Sequence, residues 1–297
     1  MTSMRLLAVD DDPVFLMLLK HVLSTIGYED IQTVNSGAAA IALLRDPKEH
    51  FDCLLLDIDM PEMTGIELCQ RLRHIPAYRD TPVLMITAMK TLHFVENAFR
   101  AGANDYINKP VDELELGTRL RMIRELLAER RRRASVETQV ASNLGLPVLN
   151  VTFEEPVSIT EAGSVIDYLA LENYALTLGR LRLYGHSVMG FSVVNALEIY
   201  RSTYGIGYVD TMAIVASAID RALKSFNHLI AFAGRGEFVA MISQRTDVSS
   251  EVLQDEIEMT MARYAAVYND LEIPLPKVHV GEIMHAGFFT RTTVNQL

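Results

Sequence analysis

The first 110 residues predict a doubly wound α/β domain on a parallel sheet, followed by a second α/β domain. Three observations carry this. Short, continuous apolar runs alternate with helical stretches at the spacing of strand–helix units. These runs are too short for ordinary helices and read as buried strands. The 297 residues are also enough chain for two domains rather than one core.

The elements follow in order. Arg5 to Val9 is an apolar run ending at Asp10-Asp11-Asp12-Pro13. Val14, Leu18 and Val22, with Phe15 and Leu19 beside them, give a helical stretch that stops near Gly27. Ala38 to Leu44 is a second apolar helical face. Asp52 to Leu56, Pro82 to Thr87 and Asp105 to Asn108 read as buried strands, the last closed by Lys109-Pro110. In such a sheet, ligands sit outside the carboxyl ends of the strands.

From Asp112 to Arg133 one helical pattern runs into four arginines. Leu116, Leu120, Ile123 and Leu127 have the four-three-four spacing of a coiled-coil seam. Packing of that face on the first sheet is the better reading, with the arginines at a solvated helix C-terminus. The patterns divide the chain into 1–125, a helix end and linker over 126–156, and 157–297. In the last part, 188–194 is strand-like and 211–223 a helix with an apolar face. Two strands, 229–233 and 238–242, meet at Gly234-Arg235-Gly236-Glu237 as a hairpin. Residues 250–268 are helical and 277–284 form a last strand.

Composition narrows function. With 49% hydrophobic and 22% charged residues, the chain has an ordinary globular balance. Its net charge of −11 argues against a phosphate-gripping, nucleic-acid-binding output. Basic and acidic residues number 10 and 15 over 1–110, 7 and 5 over 111–133, and 10 and 18 over 134–297; the acid excess is greatest in the last part. No apolar run approaches the roughly 18 residues of a membrane span, and the N-terminus does not read as a signal peptide. A cytoplasmic protein without membrane contact is expected. Cys53 and Cys69 have neither a disulfide framework nor metal-ligand spacing and read as packing residues. His186, His279 and His285 lack partners at ligand spacing.

Asp10, Asp11 and Asp57 fall at strand ends, so the fold brings three carboxylates to one sheet edge. They repel unless a cation neutralises them, and hard oxygens suit Mg²⁺. Lys109 and the hydroxyl of Thr87 reach the same edge. A nucleophilic carboxylate, a divalent ion, a lysine and a hydroxyl together suit phosphoryl uptake as an aspartyl phosphate.

Asp10-Asp11-Asp12-Pro13, Leu56-Asp57-Ile58-Asp59-Met60-Pro61 with Gly65, Ile86-Thr87-Ala88 and Lys109-Pro110 resemble, in order and spacing, the receiver (CheY-like) domain of two-component response regulators. The resemblance implies a five-stranded parallel sheet and Asp57 as phosphoacceptor. It implies a Mg²⁺ site of Asp10, Asp11 and Asp57 with the backbone carbonyl of Asp59. Thr87 and Tyr106 match the family's switch pair and Lys109 its phosphoryl-binding lysine. Asp59 and Met89 occupy positions that set the lifetime of the phosphoryl state. A histidine kinase or phosphotransfer protein is the implied donor, and a homodimer the implied form.

Gly234-Arg235-Gly236-Glu237-Phe238 resembles the turn that names the diguanylate cyclase (GGDEF) domain, and Tyr204-Gly205 with Asp210 resembles an upstream motif of that family. The cyclase residues are nevertheless missing. Val193 and Asn195 stand at the metal-binding Asp-x-Asp positions, and Gly236 replaces an acidic residue. Arg201 replaces a guanine-binding Asn, and Ser225 and His228 replace the product-inhibition pair. The family's C-terminal helix has no counterpart. The expectation is a degenerate GGDEF-like domain with no catalytic cyclase residues, used for contact with a downstream protein. The alternatives are a sensor of GTP or cyclic di-GMP and an active diguanylate cyclase with unfamiliar ligands.

Overall fold

The computed structural model describes residues 4–88, 91–144, 151–157, 159, 163–203 and 206–285. The chain divides into two compact units, Met1–Ser135 and Val136–Leu297.

The first unit runs β1 (Leu6–Val9), α1 (Pro13–Thr25), β2 (Ile31–Val34), α2 (Gly37–Leu44), β3 (Cys53–Asp57), α3 (Gly65–Arg73), β4 (Val83–Thr87), α4 (Leu92–Arg100), β5 (Asp105–Asn108) and α5 (Glu113–Leu144), whose last nine residues fall in the second unit. The five strands are parallel in the order β2-β1-β3-β4-β5. Helices cover both faces, which is why β1, β3 and β4 are apolar and buried at nearly every position. Alternate residues serve opposite cores. Leu7, Val9, Leu54, Leu56, Val83 and Met85 join one cluster; Leu6, Ala8, Cys53, Leu55, Leu84 and Ile86 join the other.

Local signals set the helix starts near the strand ends. The Asp12 side chain accepts from the Val14 amide and Pro13 opens α1. Ser36 caps α2. Thr64 and Glu67 form a reciprocal capping box on α3.

Three sequence expectations change. In α1 the inward stripe is Leu16, Leu19 and Leu23, whereas Val14 and Leu18 are exposed; the helix is apolar nearly all round, so its period was ambiguous. β2, the fifth strand, was not located, because on this edge strand only Ile31 is buried. Helix α5 continues eleven residues past Arg133. Ala134 to Leu144 contains neither Gly nor Pro, and extending a formed helix costs far less than nucleating one. The arginines therefore lie inside the helix, and 134–144, read as the start of the linker, is helical. Leu116, Leu120 and Ile123 are buried in the core beneath the sheet, as the packing reading has it.

The second unit runs β6 (Val165–Ile166), α6 (Tyr168–Leu183, with non-helical backbone at Gly179), β7 (Ser187–Val193), α7 (Ala196–Ser202), α8 (Ile206–Ala222), β8 (His228–Gly234), β9 (Glu237–Ile242), α9 (Ser250–Ala262), α10 (Ala265–Asp270), β10 (Val278–Val280) and β11 (Met284–His285). The order is β10-β7-β9-β8-β6, with β11 also on β7. The β10–β7, β7–β9 and β8–β9 pairs are antiparallel, and β6 joins β8 in parallel. From β7 to β10 this is a split βαββαβ arrangement. Phe191, Val193, Phe232 and Phe238 from the sheet pack with Met212, Val215 and Ile219 of α8 and Leu253 and Ile257 of α9. Neither β6 nor α6 was foreseen. The last strand is shorter than expected, breaking between Val280 and Met284.

Candidate functional site

Asp57 ends β3 and Asp10 immediately follows β1, its neighbour in the sheet. Parallel pairing therefore puts both carboxyl groups at one edge. With Asp11 they offer three carboxylate oxygens within 4.8 Å of one another, the one such group among the described residues. Asp10 and Asp57 are buried and Asp11 is exposed, so the cluster opens to water on one side.

Lys109 follows β5, and its backbone amide donates to the Thr87 carbonyl at 2.7 Å. Its ammonium bridges the buried pair, 2.6 Å from Asp10 Oδ2 and 2.8 Å from Asp57 Oδ1. The Phe15 ring lies 4.0 Å from the same nitrogen, a cation–π contact that helps fix a long, flexible side chain. Phe15 reads in the sequence as one more apolar helix residue, so this role could not be found there.

Burial dominates the electrostatics. It pushes the Asp57 carboxyl above the ordinary range and Asp10 adds to the rise, while Lys109 and the Asp59 amide oppose it. Lys109 is itself held above its usual value: burial acts to lower it, but hydrogen bonds and charge from Asp10 and Asp57 outweigh that. Three clustered carboxylates, one of them exposed, exceed the single lysine charge. Their hard oxygens suit a divalent cation of the Mg²⁺ type.

Two glycine features shape the loop after Asp57. A Cβ on Gly65 would overlap the Asp57 carbonyl oxygen, so only glycine lets α3 start this close. Its amide donates to the Ile58 carbonyl at 3.0 Å. Asp59 is exposed in that loop. Thr87, at the end of β4, is fully buried. Tyr106 is half-buried on β5 and packs edge-on against Phe99, with ring centres 6.4 Å apart. Met89 lies outside the described residues.

In the second unit the β8–β9 turn has left-handed backbone at Gly234, Arg235 and Gly236. The Val193 amide donates to the Gly236 carbonyl at 2.8 Å, and a Cβ on Gly236 would overlap the Ala196 methyl. The turn therefore packs down on the start of α7. Val193 points into the core. Asn195 is a backbone clamp: its side chain donates to the Leu275 carbonyl and accepts from the Lys277 amide, both at 2.9 Å. Arg201, Asp210, Ser225, Arg235 and Glu237 are exposed, and Phe238 is core. Tyr204 and Gly205 lie outside the described residues. His228 is buried, 3.0 Å from Asp220 Oδ1 and 2.9 Å from the Phe226 carbonyl.

The remaining singled-out residues pack or lie at the surface. Burial raises the Cys53 thiol to about 12 and the Cys69 thiol to about 11, which makes both poor nucleophiles. His186 is buried, with Nδ1 2.8 Å from the Arg182 carbonyl. His285 contacts the Ser187 hydroxyl at 3.1 Å, and His279 is exposed. No helix among the described residues is long and apolar enough to cross a membrane.

Comparison with known proteins bears chiefly on the first unit. The family model for the response regulator receiver domain matches residues 6–121. The chain is 34% identical over 120 residues to chemotaxis protein CheY1 of Helicobacter pylori, covering 40% of this chain and 96% of that one. It is 32% identical over 214 residues to response regulator MprA of Mycobacterium leprae, covering 69% of this chain and 88% of that one. The two-component response regulator ARR10 of Arabidopsis thaliana is 39% identical over 114 residues, which is 38% of this chain but only 20% of that protein; the chain thus spans about a fifth of the length of such plant relatives. Among solved structures, a CheY-like receiver protein from Methanospirillum hungatei matches at 30% identity and a TM-score of 0.38, over 44% of this chain and 99% of that one. With a matching domain at the N-terminus and two relatives, CheY1 and MprA, more than 30% identical and aligned over most of their own length, this chain belongs to the two-component response regulators, through the receiver domain that holds Asp10, Asp11, Asp57 and Lys109.

Proposed function

We propose that Asp57 accepts a phosphoryl group from a histidine kinase or a phosphotransfer protein. The supporting observation is its setting: a buried carboxylate, 2.8 Å from the Lys109 ammonium and clustered with Asp10 and Asp11. An Asp57 oxygen bonds to phosphorus as the donor's phosphorus–nitrogen bond breaks, and the electron pair returns to the donor imidazole. Asp10, Asp11 and Asp57, with the Asp59 carbonyl, would hold Mg²⁺, which offsets the negative charge of the transferring group. Lys109 and the Thr87 hydroxyl read the new charge, and Tyr106 shifts with them. A phosphoryl group can bias a two-state equilibrium because it binds the two states differently.

In this reading the second unit is the output, a GGDEF-like domain without cyclase chemistry that contacts a downstream protein and pairs as a homodimer in the cytoplasm. Its split βαββαβ order and glycine hairpin support the likeness, although fold alone does not carry function. The core position of Val193 and the clamp role of Asn195 support a non-catalytic reading. The Arg235 amide, engaged with the Phe153 carbonyl, weighs against a nucleotide sensor.

Sedimentation of the full chain with and without beryllofluoride and Mg²⁺ tests the switch. A change in association that Asp57→Asn abolishes is expected; identical behaviour of the two forms would sink it. Incubating the activated protein with GTP is expected to give no cyclic di-GMP. Product that vanishes with Glu237→Ala would make the chain an enzyme.

A further inference from the structure

The short segment Val151–Glu155 lies across the β8–β9 turn of the second unit. Arg235 N–H donates to the Phe153 carbonyl at 2.8 Å, and the Tyr200 hydroxyl donates to the Val151 carbonyl at 3.0 Å. The Phe153 ring centre stands 5.6 Å from Tyr200 and 5.8 Å from Tyr208. From Tyr208 the aromatic cluster continues through Phe232 to Phe238. Gly234 has a φ of 91°, and a Cβ there would overlap the Glu154 carbonyl oxygen. This glycine therefore serves the segment that covers it as well as the turn.

The contact carries a cost. Thr152 Oγ1 is buried with no hydrogen-bond partner. A buried hydroxyl that gives up water for nothing keeps its desolvation cost. Thr152 and Phe153 are only partly buried. Segments with these traits open at the low end of a protein's stability range. The segment is also tethered. Only six residues separate it in sequence from the end of α5. The start of α5 is anchored in the receiver core by Leu116, Leu120 and Ile123.

We infer that Val151–Glu155 is a strap that closes the glycine hairpin, and that α5 draws it away when Asp57 is phosphorylated. Release uncovers the Arg235 amide and the Tyr200 and Tyr208 rings, leaving a place for a partner segment that carries an aromatic side chain in the position of Phe153. The release step rests on the phosphoacceptor reading.

Hydrogen exchange of the full chain tests this, with the α8 amides as a check on the fold. Beryllofluoride and Mg²⁺ are expected to speed exchange at Arg235 about tenfold or more. Phe153→Ala speeds it without activation. Thr152→Val keeps the shape but removes an unpartnered hydroxyl, so it slows exchange by about tenfold and blunts the response to activation. If activation changes exchange around Tyr106 but not at Arg235, the strap fails alone. If neither region responds, the phosphoacceptor reading fails and release falls with it. Variants that leave Arg235 exchange at the wild-type rate would also overturn the strap.

Discussion

Gly65 abuts the carbonyl oxygen of Asp57, leaving no room for a side chain between the start of α3 and the end of β3. The position of the central carboxylate is therefore coupled to a residue eight places further along the chain. Gly65→Ala is expected to destabilise the protein by about 3 kcal/mol, at the upper end of overpacking costs, because backbone rather than a flexible side chain must move. It should also weaken Mg²⁺ binding. Urea unfolding and a Mg²⁺ titration read the two effects; a variant of wild-type stability would show that the loop relaxes freely.

The carboxylate cluster makes stability depend on metal. With Mg²⁺ at ten times its Kd, the native state should gain about 1.4 kcal/mol. Asp11→Asn is expected to remove that gain while making the metal-free protein more stable, since one repelling charge is gone. Thermal melts of both proteins with and without Mg²⁺ give four numbers. An Asp11→Asn variant that still responds fully would place the ion elsewhere.

Arg119 reaches Asp105 at 2.7 Å, and the side chains are 22% and 7% exposed. Burial raises the Asp105 carboxyl above its ordinary value, and Arg119 opposes the rise. Arg119→Ala should lift it further. The folded state then keeps its proton to higher pH than the unfolded chain does, so stability is lost as pH rises through that window. The deficit against wild type should be small near pH 4 and reach about 2 kcal/mol at pH 7. Equal deficits at both pH values would mean that lost packing, not charge, is responsible.

Asn195 ties the end of β7 to the approach to β10 by two hydrogen bonds. Asn195→Ala should cost about 2 kcal/mol, from one lost donor and one lost acceptor. Denaturation of the full chain, followed by a probe in the second unit, would show it. An unchanged midpoint would mean that water replaces the clamp.

What the sequence disclosed followed burial. β1, β3 and β4 were legible because a strand covered on both faces becomes a continuous apolar run, and Asp10 and Asp57 stood out because each interrupts such a run at its end, while Lys109 follows the short strand Asp105–Asn108. β2 was hidden by Gln32 and Thr33 on an edge strand. Helix α1 misled because Val14 and Leu18 are as apolar as the buried Leu16 and Leu19. The clamp at Asn195 depends on Leu275 and Lys277, and no local pattern reports a partner 80 residues away. Residues 151–155 fall in the stretch read as linker, so their contact with Arg235 became visible only in three dimensions.

The central claim is that Asp57 is the phosphoacceptor, and intact mass after incubation with acetyl phosphate tests it most directly. A single phosphoryl group is expected, dependent on Mg²⁺, mapped to the peptide containing Asp57 and absent from Asp57→Asn. Incorporation that persists in Asp57→Asn, or none in the wild-type protein with Mg²⁺ present, would contradict it.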